Sequence, residues 1–219
     1  MPLSGRYRAV VVDMDGLLLD SEVLWDRAEG ELFRRHGDTW TFEDKLAVMG
    51  TSFATTALYY AERLRQPVER GVGLVDEMRE LMKEELRRGV ELQPGARDLV
   101  RRLREVGGIG VGLASNSSRD IVDIALAGVG LTDAFDAIVT SDDVAHAKPA
   151  PDIYLLACER LGVAPSEAVA LEDTTPGIAA AKAAGLCCIA VPQFAETDVS
   201  SADRVVHSLE ELLVAGAGT

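Results

Sequence analysis

From Ala9 to Val12 the chain runs apolar and mostly β-branched, then stops at Asp13. A short run of this kind, without polar alternation, is how a strand buried on both faces of a parallel sheet reads when its end meets solvent. The pattern recurs. Ile109 to Ala114 ends in Ser115 and Asn116, Ala137 to Thr140 in Ser141 and Asp142, Ala168 to Leu171 in Glu172 and Asp173, and Cys187 to Val191 in Pro192. Between these runs, residues 96–106, 118–127, 151–161 and 176–184 carry apolar positions at helical spacing. Such alternation predicts an α/β fold, a parallel sheet with helices on both faces.

Residues 21–92 break the alternation with helical patterns only. Leu24, Ala28, Leu32 and Phe33 share one helical face, and Val72, Val75, Met78 and Met82 another. The stretch begins just after the first strand and ends before Pro94-Gly95, where a turn and a new helix are signalled. The expected organisation is therefore one α/β core, residues 1–20 and 93–219, split by an all-helical insertion over 21–92. The small-residue tail from Ala215 to Thr219 is expected to fray.

Composition narrows the function. The 219 residues are 47% hydrophobic and 26% charged, enough to bury a sizeable core. The 36 acidic against 22 basic residues give a net charge of -14, which argues against nucleic acid as a partner. Arg34-Arg35, Arg87-Arg88 and Arg101-Arg102 alternate with acidic residues and read as solvated helix faces. Cys158, Cys187 and Cys188 fit neither an ordinary disulfide nor zinc spacing, so they read as small core residues in a reducing compartment. With no leader pattern and no apolar stretch long enough to span a bilayer, a cytoplasmic monomer without membrane association is expected.

In open α/β sheets, functional groups gather beyond the carboxyl ends of the strands. That rule brings Asp13, Asp15, Ser115, Asn116, Glu172 and Asp173 to one crevice. Asp13-Met14-Asp15-Gly16 sets two carboxylates two residues apart, with a glycine to turn the chain. Ser115 and Asn116 offer a hydroxyl and an amide that can donate to a phosphoryl oxygen. Lys148 lies in a loop held by Pro149 and Pro151, and Glu172-Asp173 precedes Thr174-Thr175-Pro176-Gly177. Ser117, Ser118 and Thr174 are expected as helix caps, and the loop residue His146 as incidental.

In this order and spacing, the four segments resemble the signature motifs of the haloacid dehalogenase superfamily, from Val10 to about Val191. The resemblance implies a three-layer, Rossmann-like core with an inserted helical cap, and a phosphatase. Asp13 would be the nucleophile, forming an aspartyl-phosphate. Asp15 would serve as acid and then base. Mg²⁺ would be held by the Asp13 carboxylate, the Asp15 carbonyl and Asp173, with Glu172 nearby or through water. Ser115, Asn116 and Lys148 would hold the phosphoryl oxygens. Asp15 and the Glu172-Asp173 pair set the chain apart from the metal-free dehalogenases.

A helical insertion after the first motif is similar to the cap of the subgroup containing small sugar-phosphate phosphatases and β-phosphoglucomutase. It implies a small phosphorylated metabolite as substrate. The segment from Asp13 to Glu29 resembles the sugar- and sugar-alcohol-phosphate phosphatases of that subgroup, of the 2-deoxyglucose-6-phosphatase and hexitol phosphatase kind. The histidine and arginine typical of the mutase are missing: Trp25 stands where the histidine is expected, and Thr51-Ser52-Phe53-Ala54 follows Gly50. Hydrolysis is thus favoured over a phosphosugar mutase, the alternative; a catalytically silent binding module, the second alternative, is disfavoured because every polar residue the mechanism requires is present. Glu22, Trp25, Thr51 and Ser52 are the candidates for cap residues facing the substrate.

Overall fold

A computed structural model describes residues 7–105 and 107–214, so the expected fraying of residues 215–219 lies outside the described residues. Six parallel strands form one sheet in the order β3-β2-β1-β4-β5-β6. They are β1 Ala9–Val12, β2 Gly110–Ala114, β3 Ala137–Val139, β4 Ala168–Glu172, β5 Cys187–Ala190 and β6 Arg204–Val205. β1 lies between β2 and β4, with Val12 level with Leu113 and Leu171. The central strand therefore ends beside both neighbouring motifs. Order reverses at β1, which is where open α/β sheets open a crevice.

Side chains alternate across β1. Val10 and Val12 pack into one apolar cluster, Ala9 and Val11 into another. The first cluster takes in α5 (Ala96–Glu105), α6 (Arg119–Val129) and α9 (Glu210–Val214) through Leu99, Leu103, Ile121, Val122 and Leu212, with Leu209 just before α9. The second takes in α7 (Asp152–Leu161) and α8 (Thr175–Ala184) through Ile153, Tyr154, Ala157, Ile178 and Ala181. Helices thus cover both faces of the sheet, as the alternating pattern predicts. Cys158 and Cys188 are buried in the second cluster and Cys187 is half-buried against the first, all three as free thiols.

Between β1 and β2 the chain forms α1 (Glu22–Arg35), α2 (Phe42–Val48), α3 (Phe53–Arg63) and α4 (Gly71–Arg88). Its two connections to the sheet run side by side: Asp20 N donates to Glu91 O at 2.9 Å and Gln93 N to Leu18 O at 2.8 Å. α1 packs on α4 through Leu24, Ala28, Leu32, Leu74, Met78 and Met82, whose apolar cluster is continuous with that of one sheet face. Val72, expected on the buried face of α4, is 66% exposed. Gly71 sits so close to the Ala57 carbonyl that a Cβ would collide with it. This turns positions 71, 74, 75, 78 and 82 inward and leaves Val72 about 100° further round. β6 was not legible because it is two residues long and both are exposed.

Candidate active site

Asp13 follows β1 directly, its N–H donating to Leu171 O at 3.0 Å. Its carboxylate is met by Lys148, whose ammonium also donates to Glu172 Oε1 at 2.6 Å and to the Ala114 carbonyl at 2.8 Å. One cation therefore ties the ends of β1, β2 and β4 together. Asp13, Lys148, Glu172 and Asp173 are all buried. Burial works against the Lys148 charge, but the Asp13 and Glu172 carboxylates outweigh it and raise its pKa beyond the usual lysine range. Burial also pushes the Asp13 carboxyl well up, and the Glu172 and Asp15 charges act the same way against the pull of Lys148. Asp173 is raised in the same manner by burial and then by Asp13 and Glu172. Tyr154, from α7, donates its hydroxyl to Glu172 Oε1.

Three carboxylates facing one ammonium leave negative charge uncompensated. Asp13, Glu172 and Asp173 each offer an oxygen, all within 4.8 Å of one another. Glu172 Oε2 and Asp173 Oδ1 are buried without a hydrogen-bond partner. Buried polar atoms are seldom left orphaned, and an all-oxygen acidic set suits a hard divalent cation. The donor set thus fits a metal such as Mg²⁺. The backbone makes room for it. Gly16 has φ +76°, and a Cβ there would run into the Asp173 carboxylate, while a Cβ at Gly177 would run into that of Glu172. Thr174, expected as a cap, accepts from Gly177 N at 3.2 Å and starts α8, fixing Asp173 just before it.

Asp15 stands outside the three-carboxylate cluster. Its Oδ1 accepts from Ser21 Oγ at 2.9 Å and Trp25 Nε1 at 3.1 Å, and its Oδ2 from Ser117 Oγ at 2.8 Å and Ser115 Oγ at 3.3 Å. One oxygen is held from the insertion side and the other from the end of β2. Ser117, expected as a helix cap, is instead a partner of this carboxylate. Ser118 occupies the N-cap position of α6, but its hydroxyl donates to Asp120. Asn116, expected to hold phosphoryl oxygens, spends its side chain as a brace. Its amide donates to Gly50 O at 3.1 Å and Lys148 O at 3.2 Å, and its Oδ1 accepts from Lys148 N at 2.9 Å. His146 is exposed and pairs with Asp152 at 3.1 Å.

A pocket opens over these groups, with Asp13, Asp15, Ser115 and Lys148 on one side and helices of the insertion on the other. Of the four residues expected to face a substrate, Glu22, Trp25 and Thr51 line it. Ser52 does not: its hydroxyl accepts from Thr55 N at 3.2 Å and caps α3. Glu29 and Lys45 line the pocket too and were missed by sequence reasoning. The insertion is fastened to the core by Asn116 at Gly50 and by Asp120, which accepts from Lys83 at 2.8 Å and Arg79 at 3.5 Å.

A parallel sheet in this strand order thus brings an acidic strand-end cluster suited to a metal, a buried lysine and a helical insertion together around one pocket. A profile of the haloacid dehalogenase-like hydrolases matches residues 7–185, and the chain belongs to that family. Its named relatives place it with the phosphoric monoester hydrolases. Hexitol phosphatase B of Escherichia coli (strain K12) is 35% identical over 196 residues, covering 84% of this chain and 83% of that protein. Fructose-1-phosphate phosphatase YqaB of the same organism is 35% identical over 186 residues, covering 85% and 97%. The crystal structure of CbbY from Rhodobacter sphaeroides in complex with xylulose-(1,5)-bisphosphate superposes with a TM-score of 0.83 at 32% identity, covering 94% of this chain and 96% of that one. Among the described residues, no helix is long and apolar enough to cross a membrane.

Proposed function

We propose that this chain is a Mg²⁺-dependent phosphatase that hydrolyses a small sugar or sugar-alcohol phosphate through an aspartyl-phosphate on Asp13. The observation that carries this reading is the Asp13 carboxylate, fixed at the end of the central strand by Lys148, beside Glu172 and Asp173 and facing the same pocket as Asp15. The resemblance to hexitol and fructose-1-phosphate phosphatases supports the substrate class.

Asp13 attacks phosphorus, forming a P–O bond while the bond to the ester oxygen breaks. Asp15 gives its proton to the departing alkoxide, then takes one from the water that cleaves the aspartyl-phosphate and releases inorganic phosphate. Ser21, Trp25, Ser115 and Ser117 donate to Asp15 when it is ionised, and when it carries the proton a serine hydroxyl turns to accept or releases that oxygen, so the group keeps its position through both steps. Lys148 stabilises the charge that builds on the phosphoryl oxygens, and the Ser115 hydroxyl assists by turning its single proton from Asp15 to a phosphoryl oxygen when substrate is bound. Mg²⁺, held by Asp13 and Asp173 with Glu172 beside them, would neutralise phosphate charge so that a carboxylate can approach it. Residues 21–92 act as a cap over the core of 1–20 and 93–219, excluding water and meeting the organic part of the substrate.

The test is a panel of small phosphate monoesters with Mg²⁺ and with EDTA, read for free phosphate and for isomerised sugar phosphate. Release that needs the metal and disappears in Asp13→Asn is the expected result. Isomerisation with little free phosphate, or release unaffected by Asp13→Asn, overturns the reading.

A further inference from the structure

The insertion side of the pocket carries a single cation among its described residues, Lys45, and two carboxylates of the same side, Glu22 and Asp26, balance its charge. An ammonium has three N–H donors. Two of those of Lys45 go to Asp26 Oδ2 at 2.7 Å and the Glu22 carbonyl at 3.4 Å, its charge pairs with Glu22 Oε2 at 3.2 Å, and it lies 5.1 Å from the centre of the Phe194 ring. The other donors on this wall are equally committed. Trp25 Nε1 goes to Asp15, Thr51 Oγ1 to Val48 O at 2.8 Å and Thr56 Oγ1 to Ser52 O at 3.2 Å, while behind the wall the buried Tyr60 hydroxyl donates to Glu29 Oε1 at 2.7 Å.

Acceptors, by contrast, remain. Glu22 and Glu29 both line the pocket, and their carboxyl groups are held there through one oxygen each, Glu22 Oε2 by Lys45 and Glu29 Oε1 by Tyr60. A wall with carboxyl acceptors and no free cation suits hydroxyl groups, which bring their own protons. It opposes phosphate or carboxylate, which bring only lone pairs and charge. We propose that this wall selects an uncharged, polyhydroxylated carbon skeleton and rejects a second anionic group, with Glu22 accepting from substrate hydroxyls, Glu29 exchanging hydrogen bonds with them, and Lys45 held by Glu22 and Asp26.

Protonation adds a neutral O–H donor at Glu29 or Glu22 but no positive charge to balance a second anion. Burial pushes Glu29 up to about 8 and also raises Glu22, so either can be neutral, but neither becomes a cation. A bisphosphate would have to set its second phosphate against this wall with no positive group released to meet it. The inference rests on the phosphatase reading for the location of the reacting phosphate, at Asp13 and Lys148.

Calorimetry on the Asp13→Asn protein with Mg²⁺ separates binding from turnover, using a hexitol 6-phosphate, a hexose 1,6-bisphosphate and phosphoglycolate as probes. The hexitol phosphate is expected to bind about tenfold or more tightly than either of the others. Equal or tighter binding of the bisphosphate or of phosphoglycolate overturns the inference, and so does failure of the hexitol phosphate to bind. In a second arm, Glu22→Gln combined with Asp26→Asn releases the Lys45 charge. The preference should then move about tenfold toward the bisphosphate, and an unmoved ratio overturns the role given to Lys45. Phosphate release by the unmodified protein is scored separately, so selective binding without release sinks the phosphatase reading and not the selectivity.

Discussion

Replacing Lys148 by methionine keeps a side chain of similar length while removing the one ammonium that joins Asp13, Glu172 and the Ala114 carbonyl. The Lys148 side chain is only 3% exposed, so water screens little of this interaction. Breaking a buried ion pair by deleting one partner costs about 3–5 kcal/mol, because the other charge stays behind unpaired. Here Asp13, Glu172 and Asp173 would all remain, two of them already pushed toward the protonated form by burial. A chain of this size has a total stability of about 5–15 kcal/mol, so the variant should fold with a markedly reduced margin. In urea, with a slope of about 2 kcal/mol/M, the midpoint should fall by about 2 M. Saturating Mg²⁺ should restore part of this, about 2.7 kcal/mol at a hundred times the dissociation constant, as expected of an ion that binds the folded cluster and not the unfolded chain. Turnover should fall about 10²–10³-fold through loss of charge stabilisation on the phosphoryl group. The assay is urea unfolding with and without Mg²⁺ alongside phosphate release. A midpoint shift below about 0.5 M, or turnover within about threefold of the parent, would refute the reasoning.

Other substitutions test separate parts of the site. Glu29 has a raised pKa in the folded state, so the folded chain holds a proton that the unfolded chain has lost between the ordinary glutamate range and about 8. Its stabilising contribution is full below the unfolded value and fades as pH rises through that window, by at most about 1.4 kcal/mol per pH unit. Glu29→Gln should flatten the fall in thermal stability between about pH 5 and 8, and parallel curves for the two proteins would count against the assignment. Gly16→Ala puts a methyl group into the Asp173 carboxylate at a positive φ. It should weaken Mg²⁺ binding by calorimetry at least about tenfold, and unchanged affinity would exclude Asp173 as a ligand. Ser117→Ala removes a donor from Asp15 and should lower kcat about tenfold or more with little change in KM. A change confined to KM would instead place Ser117 against the substrate.

The sheet was legible because a strand buried on both faces must be a short apolar run, and β1, β2 and β4 each end where a polar residue begins. That rule also brought Asp13, Ser115, Glu172 and Asp173 into view, since position at a strand end is a property of the local sequence. Contacts set by tertiary packing were not legible. Ser117 sits where a helix cap is usual, and only the placement of α1 and β2 around Asp15 directs its hydroxyl to that carboxylate. Tyr154 reads as one more core residue of an amphipathic helix, and its bond to Glu172 depends on how α7 crosses the sheet. Glu29 and Lys45 look like ordinary charged positions of surface helices. The folding of α1, α2 and α3 around the pocket is what buries them. The brace made by Asn116 arises the same way, because its partner Gly50 belongs to the insertion, 66 residues away along the chain.

The central claim is that Asp13 carries the phosphoryl group, and trapping that species tests it most directly. The protein is mixed with a phosphate monoester it hydrolyses and with Mg²⁺, quenched in acid within one turnover, reduced with borohydride and digested for peptide mass spectrometry. Reduction of an acyl phosphate turns aspartate into homoserine. The account predicts homoserine at position 13, dependent on substrate and metal and missing in Asp13→Asn. Phosphate release without modification at position 13, or modification at another carboxylate, would contradict it.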